Sequence, residues 1–245
     1  MRPTPDLVAH RGYALHYPEN TGAAIRAAIA AGAKYFECDV QLTADRVPIL
    51  FHDQTLDRVC GVPGRIHEVK VAGLAPLSAY EPGRFGERFR GEPMASLEGI
   101  GCILKSNPDV VGFIEIKIES IEQFGVDLVF ERVDAVLSRY ARQVVLISYS
   151  GEFLRYVQGY AIGAVIDRWE DLDSVRLLNP HYVFCDLDGL PPTGELRCEG
   201  AKLVVFEVRH AAVALALWER GVELIETFAV GELLGELCHV RDPRP

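Results

Sequence analysis

The feature that most constrains the fold is a regular alternation of strand-like and helix-like segments along almost the whole chain. Short runs rich in β-branched and aromatic residues predict strands, and longer segments with a helical period lie between them. The eight predicted strands are Leu7–Ala9, Tyr35–Val40, Val110–Ile116, Val144–Ser148, Ile162–Ile166, Tyr182–Cys185, Leu203–Val208 and Glu223–Thr227. The predicted helices are Thr21–Ala31, Leu97–Lys105, Gln123–Tyr140, Gly151–Gln158, Glu170–Leu177, Ala211–Arg220 and Val230–Cys238. Strands separated by helices pair in parallel through right-handed crossovers, so the pattern favours an α/β fold.

Two architectures satisfy this pattern, a closed barrel and an open doubly wound sheet. Eight β/α units close a (β/α)8 TIM barrel of roughly 250 residues, and the chain has 245. The open sheet is less favoured because the first strand–helix turn, residues 10–21, lacks a Gly-x-Gly-x-x-Gly phosphate loop. We therefore expect a single TIM-barrel domain over residues 1–245.

One region breaks the alternation. Residues 52–93 are rich in glycine, proline and charge and show no clear period, and Pro48–Phe51 is typical of a short extra strand leading into them. A long irregular segment in a compact barrel is usually a functional loop or a small subdomain over the site. We predict an insertion at residues 52–93, after the second strand of the barrel.

Charge and hydropathy exclude several classes of partner. The net charge is −10, from 25 basic and 35 acidic residues, and no basic run is present, so nucleic acid and anionic membranes are not expected partners. No apolar run reaches the roughly 18 residues that cross a bilayer. Met1–Asp6 does not resemble an apolar signal segment, and the six cysteines include no Cys-x-x-Cys pair. We therefore expect a cytoplasmic protein with mostly buried, reduced thiols.

Ionisable residues end the first predicted strands, which is where the chemistry of such barrels is found. They are His10-Arg11-Gly12, Glu37-Cys38-Asp39, Glu115-Ile116-Lys117 and, after the extra strand, His52-Asp53. Because side chains alternate along a strand, Glu37 and Asp39 share one face, as do Glu115 and Lys117. Each group alone could be a satisfied histidine or an ion pair. Burying all of them costs several kcal/mol unless they are paired or bind a cation, so the combination predicts a functional site.

Three stretches carry a family resemblance. Ala9–Ile66 contains AHRGY, YPENT and GAKYFECDVQLTADRVPILFHDQTLDRVCGVPGRI, Met94–Leu97 is MASL, and Phe113–Lys117 is FIEIK. These motifs resemble those of the glycerophosphodiester phosphodiesterase family, whereas the second half of the chain agrees mainly in its β/α layout. The resemblance implies a TIM barrel with a small insertion after the second strand. It also implies hydrolysis of glycerophosphodiesters to sn-glycerol 3-phosphate and an alcohol, which places the protein in lipid and glycerol metabolism.

The resemblance also implies a divalent metal and a pair of catalytic histidines. The metal-binding carboxylates of the family fall on Glu37, Asp39 and Glu115, and carboxylate oxygens suit a hard cation, Mg²⁺ or Ca²⁺. The catalytic histidines fall on His10 and His52. Imidazole titrates near neutrality, so one ring can take a proton while the other donates one. The sequence leaves the two roles open, although we favour His10 as the base.

Substrate-binding roles follow from the same resemblance. Arg11 and Lys117 match the positions that hold the phosphate, where two cations would stabilise charge on its oxygens. Phe206, on the seventh predicted strand, is expected to offer the substrate an apolar wall.

Four neighbouring residues are expected to support the site or the first helix. Asn20 and Thr21 are natural caps for that helix. We expect Glu19 to contact Arg11 or His10, and Asp53 to orient His52.

Two segments depart from the pattern of the family. Phe206-Glu207-Val208-Arg209 replaces Trp-Thr-Val-Asn on the seventh strand, and Glu226-Thr227-Phe228-Ala229 replaces Thr-Asp-x-Pro after the eighth. We expect neither change to reach the metal ligands or the histidines, and both to alter the surroundings of the substrate's alcohol.

Two other functions remain open at this point. A lysophospholipase D-like activity on longer lipids would need a wide apolar mouth, to which Leu74, Phe85 and Phe89 of the insertion could contribute. A non-catalytic barrel that binds phosphorylated metabolites would need cations but no pair of histidines. The sequence does not determine the head group, the choice between Mg²⁺ and Ca²⁺, or the oligomeric state.

Overall fold

The computed structural model describes residues 4–241, and its strands close into a barrel. Its strands are β1 (Asp6–Ala9), β2 (Tyr35–Leu42), β3 (Pro48–Leu50), β4 (Val111–Ile116), β5 (Val144–Ser148), β6 (Ala161–Ile166), β7 (Tyr182–Asp186), β8 (Lys202–Phe206) and β9 (Leu224–Thr227). All except β3 pair in parallel in the order β1-β2-β4-β5-β6-β7-β8-β9, and β9 pairs back with β1. The extra strand β3 is antiparallel to the end of β2. The predicted TIM barrel is confirmed.

Helices cover the outside of the barrel and form part of the insertion. They are α1 (Gly22–Ala30), α2 (Asp57–Cys60), α3 (Val71–Leu74), α4 (Pro82–Phe85), α5 (Leu97–Ser106), α6 (Ile118–Phe124), α7 (Val126–Leu137), α8 (Gly151–Tyr156), α9 (Leu172–Arg176), α10 (Ala211–Glu219) and α11 (Val230–Arg241). The single helix predicted at Gln123–Tyr140 is wrong, because Gly125 adopts φ +82° and separates α6 from α7. None of the described helices is long and apolar enough to span a membrane.

The interior of the barrel is filled by apolar side chains below the polar strand ends. These side chains point inward from alternate positions of the strands, as the period of a strand requires. They are Val8, Phe113, Val145, Ile147, Val165, Phe184, Val204 and Leu224. The Phe113 ring packs edge-to-face on Phe184, with centroids 5.0 Å apart. This packed layer closes the floor of the barrel, so polar side chains above it can face solvent only at one end.

The insertion packs around a small apolar core of its own. Its core residues are Ile49, Phe51, Leu56, Val59, Cys60, Ile66, Leu74 and Ala79. The helices α2, α3 and α4 are each a single turn, which explains why the sequence showed no period there. Its short elements are held by tertiary packing rather than by local propensity.

The cysteines are less buried than the sequence suggested. Cys38, Cys60 and Cys185 are buried, whereas Cys102 on α5 and Cys238 on α11 are exposed. Both exposed thiols lie on helices that present only one face to the barrel, so an apolar neighbourhood in sequence did not ensure burial.

Gly12 brings the turn after β1 against helix α1. Its φ is +81°, and a Cβ added to it would lie 2.6 Å from the carbonyl carbon of Ala24. In Gly12→Ala the new side chain would strain the backbone at a positive φ and would also crowd α1. The substitution should therefore lower the free energy of unfolding, measured by urea denaturation, by about 2–4 kcal/mol.

Gly159→Ala is the control for this prediction. Gly159 has φ +82°, and a Cβ added to it would have no other group within 4 Å. The substitution therefore introduces the left-handed strain without the overpacking, and it should cost only about 1–2 kcal/mol. Equal losses in the two variants would contradict the close approach of Gly12 to α1.

Candidate active site

The ionisable strand ends meet in one cavity at the C-terminal mouth of the barrel. The cavity has a volume of about 230 Å³. It is lined by His10, Arg11, Glu37, His52, Glu115, Lys117, Ile147, Tyr149, Val165, Phe184, Phe206, Glu207 and Glu226. Asp39 completes the set of predicted site residues and lies against Glu37 and Glu115. The structure therefore brings together all eight of the predicted catalytic, metal-binding and substrate-binding residues.

Two buried carboxylates, Glu37 and Asp39, and the partly exposed carboxylate of Glu115 form the predicted metal group. The parallel register of β2 and β4 places Asp39 directly beside Glu115, and Glu37 lies two residues earlier on β2. Each of the three offers an oxygen within 4.8 Å of the other two. Burial and the neighbouring Asp39 carboxylate raise the pKa of Glu37 and of Glu115. The buried Glu37 Oε1 has no hydrogen-bond partner among residues 4–241. Carboxylates crowded in this way, with a free ligand atom, fit a hard divalent cation.

Two cations contact the same group from its sides. Lys117 Nζ donates to Glu115 Oε1 at 2.9 Å and lies 3.5 Å from Asp39 Oδ1. Arg11 Nε lies 3.1 Å from Asp39 Oδ2, and Arg11 Nη1 donates to Glu19 Oε1 at 3.0 Å. Burial opposes ionisation of Asp39, but Arg11 and Lys117 outweigh it and hold the pKa of Asp39 well below its usual range. The predicted contact between Glu19 and Arg11 is confirmed.

The turn after β1 points the backbone N–H of Arg11 toward the carboxylate of Glu37. Arg11 adopts φ +54°, an uncommon conformation for a residue with a side chain, and its N–H donates to Glu37 Oε2 at 3.0 Å. Such a conformation costs of order 1–3 kcal/mol and persists where the surroundings impose it. Here the bound carboxylate and the charged contacts of the side chain supply that constraint.

Asn20 supports Asp39 instead of capping α1. Its Nδ2 donates to Asp39 Oδ2 at 2.8 Å, and its Oδ1 accepts from the Asp39 N–H at 3.0 Å. The cap is Thr21 alone, whose Oγ1 accepts from the Ala24 N–H. The prediction that Asn20 is a cap is therefore wrong. An amide can both donate and accept, so Asn20 satisfies the side chain and the backbone of one buried acid.

His10 lies in a dry part of the cavity. Its ring stacks on Phe228 with centroids 4.4 Å apart and planes inclined by 8°. Its Nε2 lies 3.9 Å from Glu37 Oε2 and 4.0 Å from Glu226 Oε2. Burial and the Arg11 guanidinium lower the pKa of His10 well below its usual value. The ring is therefore neutral at pH 7 and can accept a proton.

His52 has the opposite environment, because its ring is held by a carboxylate and is partly open to solvent. Its Nδ1 lies 2.9 Å from Asp53 Oδ1. An ionised carboxylate only accepts, so Nδ1 carries the hydrogen. Asp53 is held by Arg58, which donates from Nε and Nη2 at 2.7 and 2.8 Å and also donates to Glu19. The predicted contact between Asp53 and His52 is confirmed.

Sequence reasoning missed Arg58, which ties the insertion to the first loop of the barrel. It contacts Asp53, Glu19 and Glu81 at once. Glu81 also accepts from the Glu19 N–H at 2.9 Å. No local signal marks Arg58, since it is one basic residue in a charged, aperiodic segment.

We expected the residues that differ from the family pattern after the eighth predicted strand not to reach the histidines, and this expectation is wrong. Glu226 is buried on β9, faces the cavity and approaches both His10 and Glu37, while Phe228 stacks on His10. The closed barrel explains this, because β9 pairs with β1 and sets Glu226 opposite Val8. Glu226 could have been found by the rule that identified the other acids, because it lies at the C-terminal end of a strand.

Apolar and aromatic groups form the other wall of the cavity. Phe206 lies there as predicted, together with Val165 and Phe184. Strand β8 ends at Phe206, two residues earlier than predicted, because Glu207 turns the chain with φ +64°. Tyr149 was missed, and its hydroxyl donates to Asp167 Oδ1 at 2.7 Å.

The comparison with known families agrees with this geometry. The model of the glycerophosphoryl diester phosphodiesterase family matches residues 10–218, which include every site residue except Glu226 and Phe228. The chain belongs to this family.

Two curated members of the family show the extent of the sequence similarity. The glycerophosphodiester phosphodiesterase of Caldanaerobacter subterraneus subsp. tengcongensis is 31% identical over 157 residues, which is 63% of this chain and 62% of that protein. Glycerophosphodiester phosphodiesterase 1 of Bos taurus is 35% identical over 111 residues, 45% of this chain and 33% of that protein. The matched segments thus span less than two thirds of these relatives.

Solved structures of family members share the whole fold. A phosphodiesterase of Oleispira antarctica, in complex with the product sn-glycerol-3-phosphate, superposes with a TM-score of 0.82 at 20% identity and covers 96% of this chain and 97% of that one. The glycerophosphodiester phosphodiesterase of Agrobacterium tumefaciens has a TM-score of 0.75 at 22% identity, covering 94% and 99%. At these identities the likeness establishes the fold alone.

The contacts of Asp53 predict a pH-dependent contribution to stability. Its hydrogen bonds from His52 and Arg58 hold its pKa below the usual range, although partial burial opposes them. This contribution is present above the unfolded pKa of about 3.9 and is lost as the pH falls below it. Asp53→Asn should therefore lower the free energy of unfolding by about 1–2 kcal/mol at pH 7. The difference from the parent should shrink below about pH 4.

Urea denaturation at several pH values would measure this difference. Asp57→Asn, which removes an exposed carboxylate on α2, is the matched control and should change stability by less than about 0.5 kcal/mol. A difference for Asp53→Asn that is independent of pH would contradict the ionic contacts.

Proposed function

We propose that this protein hydrolyses glycerophosphodiesters to sn-glycerol 3-phosphate and a free alcohol, with the help of bound Mg²⁺ or Ca²⁺. The observation that carries the proposal is the meeting of two differently held imidazoles, three acids and two cations in one cavity. The names of the curated relatives support the reaction, and the product bound to the Oleispira antarctica enzyme supports its glycerol 3-phosphate half.

The two histidines supply opposite proton transfers in this proposal. His10, whose pKa is lowered by burial and by Arg11, takes the proton from the attacking oxygen. His52 gives a proton to the departing alkoxide of the alcohol. Asp53 holds the His52 ring by Nδ1, which leaves the other ring nitrogen for the substrate. Such general acid and base steps need the groups in these protonation states at the working pH.

The phosphate is held between the cations and the acids. Arg11 and Lys117 line the cavity while they contact Asp39, and each keeps N–H donors beyond those contacts for phosphate oxygens. Glu37, Asp39 and Glu115 would hold the divalent ion. When bound, that ion would stabilise the negative charge that builds on the phosphate oxygens.

The surroundings of the cavity support a short polar alcohol over a long lipid. Leu74 is buried within the insertion, and the Phe85 and Phe89 rings pack edge-to-face 5.1 Å apart with guanidinium groups over them. The apolar side chains that could have formed a wide mouth are therefore used in internal packing.

A binding barrel without catalysis is less well supported, because binding alone does not call for a neutral, buried imidazole opposite a second, oriented one. We also place the reaction in the cytoplasm, since the six cysteines are free thiols, as a reducing compartment would keep them.

Alanine variants of the two histidines test the mechanism. His10→Ala and His52→Ala should each lower kcat for glycerophosphocholine by about 10²–10⁴-fold, measured as released sn-glycerol 3-phosphate, because each removes one proton transfer. His181→Ala, an exposed ring just before β7 at the opposite end of the barrel, is the matched control and should leave kcat unchanged. Circular dichroism would check that the folds are intact. Parent-like turnover by either site variant would refute the role of that ring.

Chelation tests the requirement for a divalent ion. Protein treated with EDTA should lose turnover, because the acids then repel one another and the phosphate beside them lacks the charge of the divalent ion. Addition of Mg²⁺ or Ca²⁺ in excess of the chelator should restore it. Turnover that survives chelation and dialysis would count against the metal site.

A further inference from the structure

Glu226 is a buried acid that the proposed reaction does not use. It is 2% exposed on β9, and its Oε1 has no hydrogen-bond partner in the part of the chain that the structure describes. The ion pairs of the described residues give its carboxylate one neighbour, His10, at 4.0 Å. At that distance the His10 ring makes no hydrogen bond to the carboxylate and does not satisfy it. A buried carboxylate without a partner costs several kcal/mol, so its surroundings call for a ligand.

The position of Glu226 indicates what that ligand is. Glu226, Glu37 and His10 offer ligand atoms within 4.8 Å of one another, and Glu37 also belongs to the group formed with Asp39 and Glu115. Glu37 therefore joins the two groups. Its own Oε1 is buried and lacks a partner, like that of Glu226. Both acids line the same cavity, and each keeps one buried carboxylate oxygen without a partner among the described residues. A cation held between them would satisfy both oxygens.

We propose that Glu226 adds a fourth carboxylate to the divalent site and makes it select Ca²⁺ over Mg²⁺. The inference rests on the metal site of the proposed function. Ca²⁺ accepts about six to eight oxygen ligands in flexible geometry, whereas Mg²⁺ keeps several waters and is usually held by one or two carboxylates. Glu37, Asp39 and Glu226 are each buried to 98% or more. Carboxylate oxygens would therefore take ligand positions that water would otherwise fill.

The charges of the site agree with this assignment. Glu37 lies beside Glu226 in one group and beside Asp39 and Glu115 in the other, and the cations Arg11 and Lys117 offset two of the four charges. A divalent ion neutralises the remainder. His10 keeps its ring free for proton transfer, because its Nε2 lies beyond hydrogen-bond distance of both Glu37 and Glu226.

Calorimetric titration of the metal-free protein with CaCl₂ and separately with MgCl₂ tests the proposal. Glu226→Gln keeps the shape of the side chain and removes its charge. Its affinity for Ca²⁺ should fall by about tenfold or more, with a smaller change for Mg²⁺. Glu207→Gln is the matched control, because Glu207 lines the same cavity, is exposed and belongs to neither group. It should change both affinities by less than about threefold.

A thermal-unfolding series gives a second readout that does not depend on turnover. Without metal, Glu226→Gln should melt at or above the parent's temperature, because it relieves repulsion with Glu37. Added CaCl₂ should then raise the melting temperature of the parent more than that of the variant. If Glu226→Gln fails to fold, Glu226→Asp should show the same loss of Ca²⁺ preference, because the shorter side chain withdraws its oxygens. Unchanged Ca²⁺ affinity, or equal losses for the two ions, would overturn the proposal.

Hydrolysis of glycerophosphocholine by the parent separates this inference from the proposed function. If the parent hydrolyses the diester and the Glu226→Gln variant binds Ca²⁺ as tightly as the parent, the role of Glu226 is overturned and the proposed function stands. A parent that binds Ca²⁺ through Glu226 and releases no glycerol 3-phosphate overturns the function and leaves the cation site standing.

Discussion

The structure depends on how buried acids are balanced at one end of the barrel. Asp39 lies beside Glu115 in the parallel register of β2 and β4, and Glu37 faces the same way on β2. Like charges this close repel strongly in a dry environment. Arg11 and Lys117 hold Asp39 ionised from two sides. The acids without such a partner distinguish this end of the barrel from an ordinary ion-pair network and support the proposed cation site.

Closure of the barrel places His10 among these acids. Because β1 lies between β2 and β9, His10 faces Glu37 from one side and Glu226 and Phe228 from the other. The same surroundings that keep water from the ring lower its pKa. His52 reaches the cavity from the insertion and keeps a carboxylate partner. Two chemically identical side chains thus lie in different surroundings, one ring buried and stacked on Phe228 and the other held by Asp53 and partly open to solvent.

The insertion acts as part of the site through a single arginine. Arg58 joins Asp53, which holds His52, to Glu19, which holds Arg11. The positions of His52 and Arg11 are therefore linked through charge-assisted hydrogen bonds. A small apolar core beneath α2 keeps Arg58 in place, so packing far from the cavity contributes to its geometry.

The sequence by itself determined the barrel and most of the residues at its mouth. Strand and helix periods are local properties, and acids at alternate positions before a strand end face the same side wherever the strand lies. The break at Gly125, the contact of Asn20 with Asp39 and the reach of Arg58 were decided only in the tertiary structure. The approach of Glu226 to His10 belongs with these, since the two residues lie more than two hundred positions apart in the sequence and the pairing of β9 with β1 brings them together. Contacts of that kind depend on which strands become neighbours and on which polar groups stay without a hydrogen-bond partner after packing. A local sequence pattern specifies neither.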